Sequence, residues 1–344
     1  MNEIRQETNF LMKKYNIKAN KNLGQNFLID EEAINTIVES SNIKEKDLVI
    51  EIGPGLGTLT KMLLERAKKV ICIELDENMV NILEDRFKLY KNIEILNQDI
   101  LRTDLREIIK KEKQSGNVEN VKIVANLPYY ITTPIVMMLL EKKLDLDSIT
   151  VMVQKEVAER LIAIPGHKNT GAITYTVYYY ADSCKVLEVP NTSFIPEPEV
   201  TSEVIKLKIR KEPPVKTKSE DLMFKIIKGA FMQRRKTLLN SLTNFKIFDD
   251  KKMGLEVLKR VGLKENVRAE ELSLENFAQI ADVLINLKND TKKDLSEEEK
   301  NIEEKNSEEK NNEEENNKEE NTKREDEKDR NKWNKYFGIY YKIL

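Results

Sequence analysis

Residues 49–60, V-I-E-I-G-P-G-L-G-T-L-T, restrict what this chain can become more than any other stretch. Apolar residues meet a carboxylate at Glu51, Gly53, Gly55 and Gly57 follow at alternate positions, and Thr58 opens an apolar-periodic run through Leu59, Met62 and Leu63. That is strand, tight turn and helix. Glycine is required where the chain takes positive φ and backbone comes close to a ligand, because a Cβ obstructs both. A dinucleotide site sets its third glycine one residue later, in G-x-G-x-x-G, with a pyrophosphate on the helix N-terminus. No Gly-Lys-Ser/Thr follows either, which excludes a phosphate cradle of the P-loop kind. The spacing suits a nucleoside ligand without phosphates, of which S-adenosylmethionine is the common one. A purely structural turn and another nucleotide are the alternatives, and the flanking residues must decide.

From Asp47 strand and helix patterns alternate, which predicts an α/β fold with a parallel sheet. Strands are expected at 48–52, 69–74, 92–96, 121–125 and 149–153, then a β-rich region at 171–189 and a last strand at 200–209. Helices fit between them at 58–67, 77–89, 104–112, 133–142 and 155–163. Ligands of such sheets lie outside the carboxyl ends of the strands, so the residues ending each strand carry the information. The second strand stops at Glu74, with Asp76 close behind, about 20 residues past the glycine turn, where a carboxylate accepts both ribose hydroxyls. The third ends Asn97-Gln98-Asp99, offering a carboxylate to an adenine amine, while Asp104 is the better cap for the helix that follows.

The fourth strand runs into Asn126-Leu127-Pro128-Tyr129-Tyr130. An adenine or amide amine is a poor nucleophile because its lone pair is delocalised into the adjoining π-system. Acceptors for both N–H hydrogens, the Asn126 side-chain oxygen and the Pro128 carbonyl, would pin the nitrogen and favour pyramidal character. Tyr129 would stack on the base, and the fixed φ of proline holds the irregular turn. Phe194-Ile195-Pro196-Glu197-Pro198 is a loop extended by two prolines, expected to hold Phe194 rigidly at the pocket mouth.

Composition bounds the rest. No apolar run reaches 18 residues and the first residues lack a signal peptide's apolar stretch, so a cytoplasmic protein with no membrane partner is expected. Cys72 and Cys184 stand far apart and His167 is the one histidine, which argues against a disulfide framework and against a metal site. Overall there are 58 basic and 60 acidic residues; residues 290–332 hold 11 and 18 of them, which leaves the remainder mildly basic and permissive for nucleic acid. That stretch is almost wholly Glu, Lys, Asn, Asp and Ser and is expected to stay disordered.

The organisation expected is an N-terminal extension (1–20), a cofactor-binding α/β domain (21–210), a small helical domain (219–286), an acidic low-complexity tail (287–332) and an aromatic, apolar terminal segment (333–344). Asp30 is a plausible cap for a helix bearing Ile34, Ile37 and Val38. Helices at 220–232, 235–243, 251–261 and 271–286 make up the second domain. Between its first two, Arg234, Arg235 and Lys236 form a cationic cluster that contacts phosphates or is merely solvated.

With these residues in hand the chain resembles the ribosomal RNA adenine dimethyltransferases, specifically the small-subunit dimethyladenosine transferases. The resemblance spans roughly 18–285 and rests on N-L-G-Q-N-F-L, E-I-G-P-G-L-G-T-L-T, I-E-L-D, N-Q-D, N-L-P-Y-Y, F-I-P-E-P-E-V-T-S and Q-R-R-K-T-L-L-N-S-L. It implies a Rossmann-like class I methyltransferase sheet of seven mostly parallel strands followed by a helical RNA-binding domain. It implies S-adenosylmethionine held at Asn26, Leu28, Gly53, Gly55, Glu74, Asp99 and Asn126, and a target adenine between Tyr129 and Phe194. It favours phosphate contacts for Arg234, Arg235 and Lys236. The implied substrate is two adjacent adenosines in the 3′-terminal hairpin of small-subunit (16S) ribosomal RNA, each methylated twice during ribosome biogenesis; a monomer acting on the small ribosomal subunit is expected. A large-subunit adenine methyltransferase giving macrolide resistance and a non-catalytic small-subunit assembly factor are the alternatives. Two departures from the family pattern, Pro198-Glu199-Val200-Thr201-Ser202 for P-K-V-D-S and Thr170-Gly171-Ala172-Ile173-Thr174 for Y-G-x-L-S, bear on RNA contacts rather than on the cofactor.

Overall fold

A computed structural model describes residues 3–20, 24–116 and 118–290. The acidic stretch from 291 onward and the terminal aromatic segment lie outside the described residues. Contacts divide the chain into one compact unit up to Asp282 and a second from Val283, of which 283–290 is described and helical.

The first unit is built on a seven-stranded sheet. Its strands are β2 (Leu48–Ile52), β3 (Lys69–Glu74), β4 (Ile93–Asn97), β5 (Val121–Asn126), β6 (Ser148–Gln154), β7 (Ala181–Val189) and β9 (Ser202–Ile209), in the order β4-β3-β2-β5-β6-β9-β7. The first five pair in parallel, and β9 runs antiparallel to both β6 and β7. The central strands are mostly apolar, broken by buried Glu51, Lys122 and Thr150, because both faces are covered. Leu48, Ile50 and Ile52 face one core cluster with Ile123, Val151 and Ile205, whereas Val49, Val70 and Cys72 face another with Ile34, Leu63 and Phe87. Connecting helices are α3 (Thr58–Leu64), α4 (Glu77–Phe87), α5 (Leu105–Gln114), α6 (Thr132–Glu141) and α7 (Lys155–Leu161). Asp104 caps α5 by accepting from the Glu107 N–H, as its position suggested.

Ahead of the sheet, α1 (Glu3–Lys14) and α2 (Glu31–Ser40) flank a short strand β1 (Phe27–Leu28), which pairs antiparallel with β8 (Phe194–Ile195). Asp30 caps α2 through the Ala33 N–H and also accepts from the Ser193 hydroxyl at 2.6 Å. The two-residue ribbon therefore fixes the loop before β1 to the segment before β9.

Strand character was expected throughout 171–189, but Ala172–Tyr180 is a helix, α8, and only 181–189 is strand. The run A-I-T-Y-T-V-Y-Y-Y is rich in β-branched and aromatic residues, so local propensity favours a strand. Tertiary packing overrides it, since α8 is buried on more than one side. Val177 joins the sheet's core, and Tyr175, wholly buried, stacks edge-on against Phe277 and donates its hydroxyl to the Leu272 carbonyl at 2.6 Å. Tyr180 stacks on Phe224 and bonds to Glu220.

Through those contacts the helical region joins the same compact unit, with residues 210–218 as a covalent link. It comprises α9 (Glu220–Phe231), α10 (Leu238–Asn244), α11 (Lys251–Val261) and the part of a last helix from 274 to Asp282. Ser219, Thr237 and Asp250 cap the first three. The helix expected from 235 begins only at Leu238, which leaves the cationic cluster in a turn. The last helix runs on to 290, past the expected boundary at 286.

Gly57 sets how closely α3 approaches α4. It adopts φ +77° as the residue before α3, and a Cβ there would stand 2.5 Å from Phe87 Cε2 and 2.8 Å from Leu83 Cδ2. Gly57→Ala should therefore cost about 1–3 kcal/mol through combined backbone strain and overpacking. A fall in the urea midpoint at constant m-value would register it, whereas an unmoved midpoint would mean the interface yields freely.

Candidate active site

The sheet order reverses between β2 and β5. Chain leaving β2 turns one way toward β3, chain leaving β5 turns the other way toward β6, and the two loops open a crevice at the strands' carboxyl ends. One cavity lies there, lined by residues 24–28, 51–56, 73–75, 98–100 and 126–131 among others.

The glycine turn forms one wall. Gly53 takes φ +66°, and a Cβ built on it would meet nothing nearer than Pro128 Cδ at 4.0 Å. Here the backbone conformation, not crowding within the protein, calls for glycine, and open space is kept beside it. Glu74 closes β3 and is 8% exposed, its carboxylate accepting from the N–H groups of Leu75 (2.8 Å), Asp76 (3.0 Å) and Gly55 (3.2 Å). Burial raises its pKa and the three N–H bonds oppose the shift. Asp76 instead caps α4 and accepts from the Gln25 amide at 2.8 Å; it lies outside the lining. Asp99 lines the cavity and accepts from the Leu101 N–H at 2.9 Å.

Asn126 ends β5 and donates its Nδ2 to the Asn26 carbonyl at 3.2 Å. A carbonyl can only accept, so this bond fixes which way the amide faces and leaves Oδ1 as an acceptor. The next residues part from expectation. The Pro128 carbonyl already accepts from the Ile131 N–H at 3.2 Å and the Thr132 hydroxyl at 3.1 Å, so both its lone pairs are engaged in starting α6. Leu127 precedes it in the lining, donates its N–H to Met152, and has a carbonyl that accepts no hydrogen bond among the described residues. Among the described residues, the carbonyl left open on this turn is thus that of Leu127 and not that of Pro128.

Tyr129 is half-buried in the lining, with its hydroxyl 2.6 Å from Ser202 Oγ, a fully buried side chain at the start of β9. Its hydroxyl is thereby engaged within the protein. Phe194, expected at the mouth, is 1% exposed, paired with Leu28 in the β1–β8 ribbon and packed with Ile34 and Val189. It sits inside the core, because the ribbon that the prolines lead away from draws it inward. Of the expected cofactor residues, Asn26, Leu28, Gly53, Gly55, Glu74, Asp99 and Asn126 all line the one cavity, with Pro128 and Tyr129. Arg234, Arg235 and Lys236 do not; they are exposed in the turn before α10, with Arg234 donating to the Thr170 carbonyl at 3.3 Å.

Sequence alone left Glu51 without a role. It lines the cavity floor, is 2% exposed, and accepts from the Thr60 hydroxyl at 2.6 Å. Burial pushes its pKa from an ordinary 4.5 to about 7, against the lowering effect of the Thr60 and Cys72 hydrogen bonds. The described lining thus carries three carboxylates, Glu51, Glu74 and Asp99, and no Lys, Arg or His. Such a set suits a ligand that bears positive charge and lacks phosphates.

A seven-stranded sheet of this order, with a crevice at its switch point, defines a Rossmann-like methyltransferase. The chain belongs to the ribosomal RNA adenine dimethylase family, whose model matches residues 16–286. It is 47% identical over 276 residues to the ribosomal RNA small subunit methyltransferase A of Lachnoclostridium phytofermentans, covering 80% of this chain and 94% of that one. Its identity to the protein of the same name from Clostridium botulinum is 46% over 280 residues, covering 81% and 99%. Among solved structures it is similar to a dimethyladenosine transferase from Plasmodium falciparum, with 27% identity, a TM-score of 0.62, and coverage of 74% of this chain and 95% of that one. The 23S rRNA methyltransferase ErmE shares the fold at 24% identity and a TM-score of 0.58.

Because Glu51 holds its proton more tightly when folded than when unfolded, folding takes up a proton between about pH 4.5 and 7, and stability falls as pH rises through that window. Glu51→Gln keeps an acceptor for Thr60 but cannot titrate, so the fall in urea midpoint from pH 5 to pH 7.5 should shrink. An identical fall in both proteins would assign the titration to other groups.

Proposed function

We propose that this protein transfers methyl groups from S-adenosylmethionine to the exocyclic amines of two adjacent adenosines in the 3′-terminal hairpin of small-subunit ribosomal RNA. The observation that carries the chemistry is the amide of Asn126, held by the Asn26 carbonyl so that its oxygen remains an acceptor on the cavity. Family membership and the names of the curated relatives support the substrate.

The residues fit the cofactor on their own chemistry: carboxylates without cations, and open space beside Gly53. Glu74 would accept from the ribose hydroxyls, Asp99 from the adenine amine, and the backbone of Asn26, Leu28, Gly53 and Gly55 would line the remainder. When bound, S-adenosylmethionine supplies a methyl group on a sulfonium, which passes to the amine nitrogen as that nitrogen gives up a proton.

A target adenosine extruded from its strand would stack on Tyr129, whose ring the Ser202 hydrogen bond holds in place. Asn126 Oδ1 and the Leu127 carbonyl would accept its two N–H hydrogens and direct the lone pair. Alignment is the main device, since positioning alone supplies a large part of such a barrier. No dedicated base is required, because the methylated nitrogen is acidic enough to release its proton to solvent. Phe194 backs this wall through its pairing with Leu28. Arg234, Arg235 and Lys236 would contact phosphates of the ribosomal RNA away from the cavity.

Radiolabelled methyl transfer to unmodified small and large ribosomal subunits, assayed in parallel, tests this. Incorporation is expected in small subunits alone. Asn126→Ala should lower kcat by roughly 100-fold or more, as removal of one preorganised polar group at a reacting centre does. Labelling of large subunits, or unchanged turnover in Asn126→Ala, would overturn the assignment.

A further inference from the structure

Tyr129 and Tyr130 are neighbours at the mouth of the cavity, yet they meet it differently. Tyr129 is anchored through its hydroxyl to buried Ser202. Tyr130 is 57% exposed although it lines the same cavity, and its hydroxyl makes no hydrogen bond among the described residues. Its ring rests on the turn at Gly24, where φ is +62° and a Cβ would stand 3.3 Å from Tyr130 Cδ1 and 3.5 Å from Cε1. That same Cβ would lie 3.5 Å from Pro128 Cβ. A glycine that lets a ring lie on backbone, beside a proline, makes a supported flat surface open to solvent.

The charge pattern says what such a surface is for. None of the cavity's described lining residues is cationic. Among the described residues, the lining thus offers no cation to the phosphates of RNA beside an extruded base. An extruded nucleotide also leaves its neighbour without a stacking partner on one side. An exposed ring recovers that stacking for any base, because every base has a π-face.

We propose that Tyr130 is a second base platform, stacking the nucleotide that flanks the target while Tyr129 stacks the target itself. This rests on the adenosine-methylating function above. It makes Tyr130 a substrate-binding residue with no part in methyl transfer, one that favours an adenosine embedded in a single strand over an isolated one.

The test uses the full chain and two measurements. In methyl transfer to small subunits, Tyr130→Ala should raise KM for RNA roughly tenfold, the order of one lost base–aromatic stack, and leave kcat within about twofold. Tyr130→Phe and Tyr130→Trp should stay near wild type, and S-adenosylmethionine affinity and thermal midpoint should be unchanged in all three. In the second, fluorescence anisotropy follows a labelled single-stranded oligoadenylate binding to protein saturated with S-adenosylhomocysteine, which needs no turnover. Tyr130→Ala should weaken this binding by a similar factor, with Phe and Trp restoring it. Wild-type affinity in Tyr130→Ala, an equal loss in Tyr130→Phe, or a loss confined to kcat would overturn the platform. A wild-type protein that binds oligoadenylate through Tyr130 but labels no RNA would refute the methyltransferase function and leave the platform standing.

Discussion

The reversal of strand order between β2 and β5 is the constraint on which the rest depends. Parallel strands must be joined by right-handed crossovers, so a sheet that grows outward in both directions from its centre sends its two innermost loops apart. The gap between them cannot be filled by the sheet's own connections. In this chain one loop is the glycine turn after Ile52 and the other is Asn126–Tyr130, and every cavity-lining group is measured from that pair. A third segment, the loop before β1, is bound to the second by the hydrogen bond from Asn126 to the Asn26 carbonyl. Since β1 pairs with β8, the same bond couples the crevice to the segment entering β9, whose Ser202 holds Tyr129. The Asn126 amide, the loop before β1 and the Tyr129 ring are thus tied together through the β1–β8 ribbon and these hydrogen bonds.

Electrostatics give that geometry its selectivity. A crevice at a switch point is usually associated with phosphate, bound by a helix N-terminus and a nearby cation. Here the turn is followed by Thr58 and Leu59, with no cation in the described lining, and three acidic residues are part of it. Carboxylates held in a poorly hydrated cavity are costly unless something offsets their charge. Glu74 is offset by three backbone N–H groups, whereas Glu51 has only a hydroxyl and a thiol and responds by taking up a proton near neutrality. A positively charged ligand relieves both.

What the sequence made legible followed from what carries a local signature. Strand ends were readable because apolar runs stop at polar residues, and Glu74, Asp99 and Asn126 do lie on one cavity. The caps at Asp30 and Asp104 were readable for the same reason, as a carboxylate just ahead of an apolar period. Helix α8 was not, because its aromatic and β-branched residues satisfy two packing faces that no periodicity reveals. Which carbonyl of the Asn126–Tyr130 turn stays open depends on where α6 starts, a matter of one residue that no local signature marks. Phe194 was placed at the mouth from its prolines, when its pairing with Leu28, over 160 positions away in sequence, draws it into the core. Tyr129 and Tyr130 look alike on paper; Ser202 and Gly24, each remote in sequence, make one an anchored ring and the other an exposed one.

The central claim is that this crevice selects a cationic, phosphate-free nucleoside. Calorimetric titration of the purified chain with S-adenosylmethionine, and separately with NAD and with ATP, tests it most directly. One S-adenosylmethionine per chain should bind, with neither phosphate-bearing ligand producing measurable heat. Comparable binding of NAD or ATP, or no uptake of S-adenosylmethionine, would contradict it.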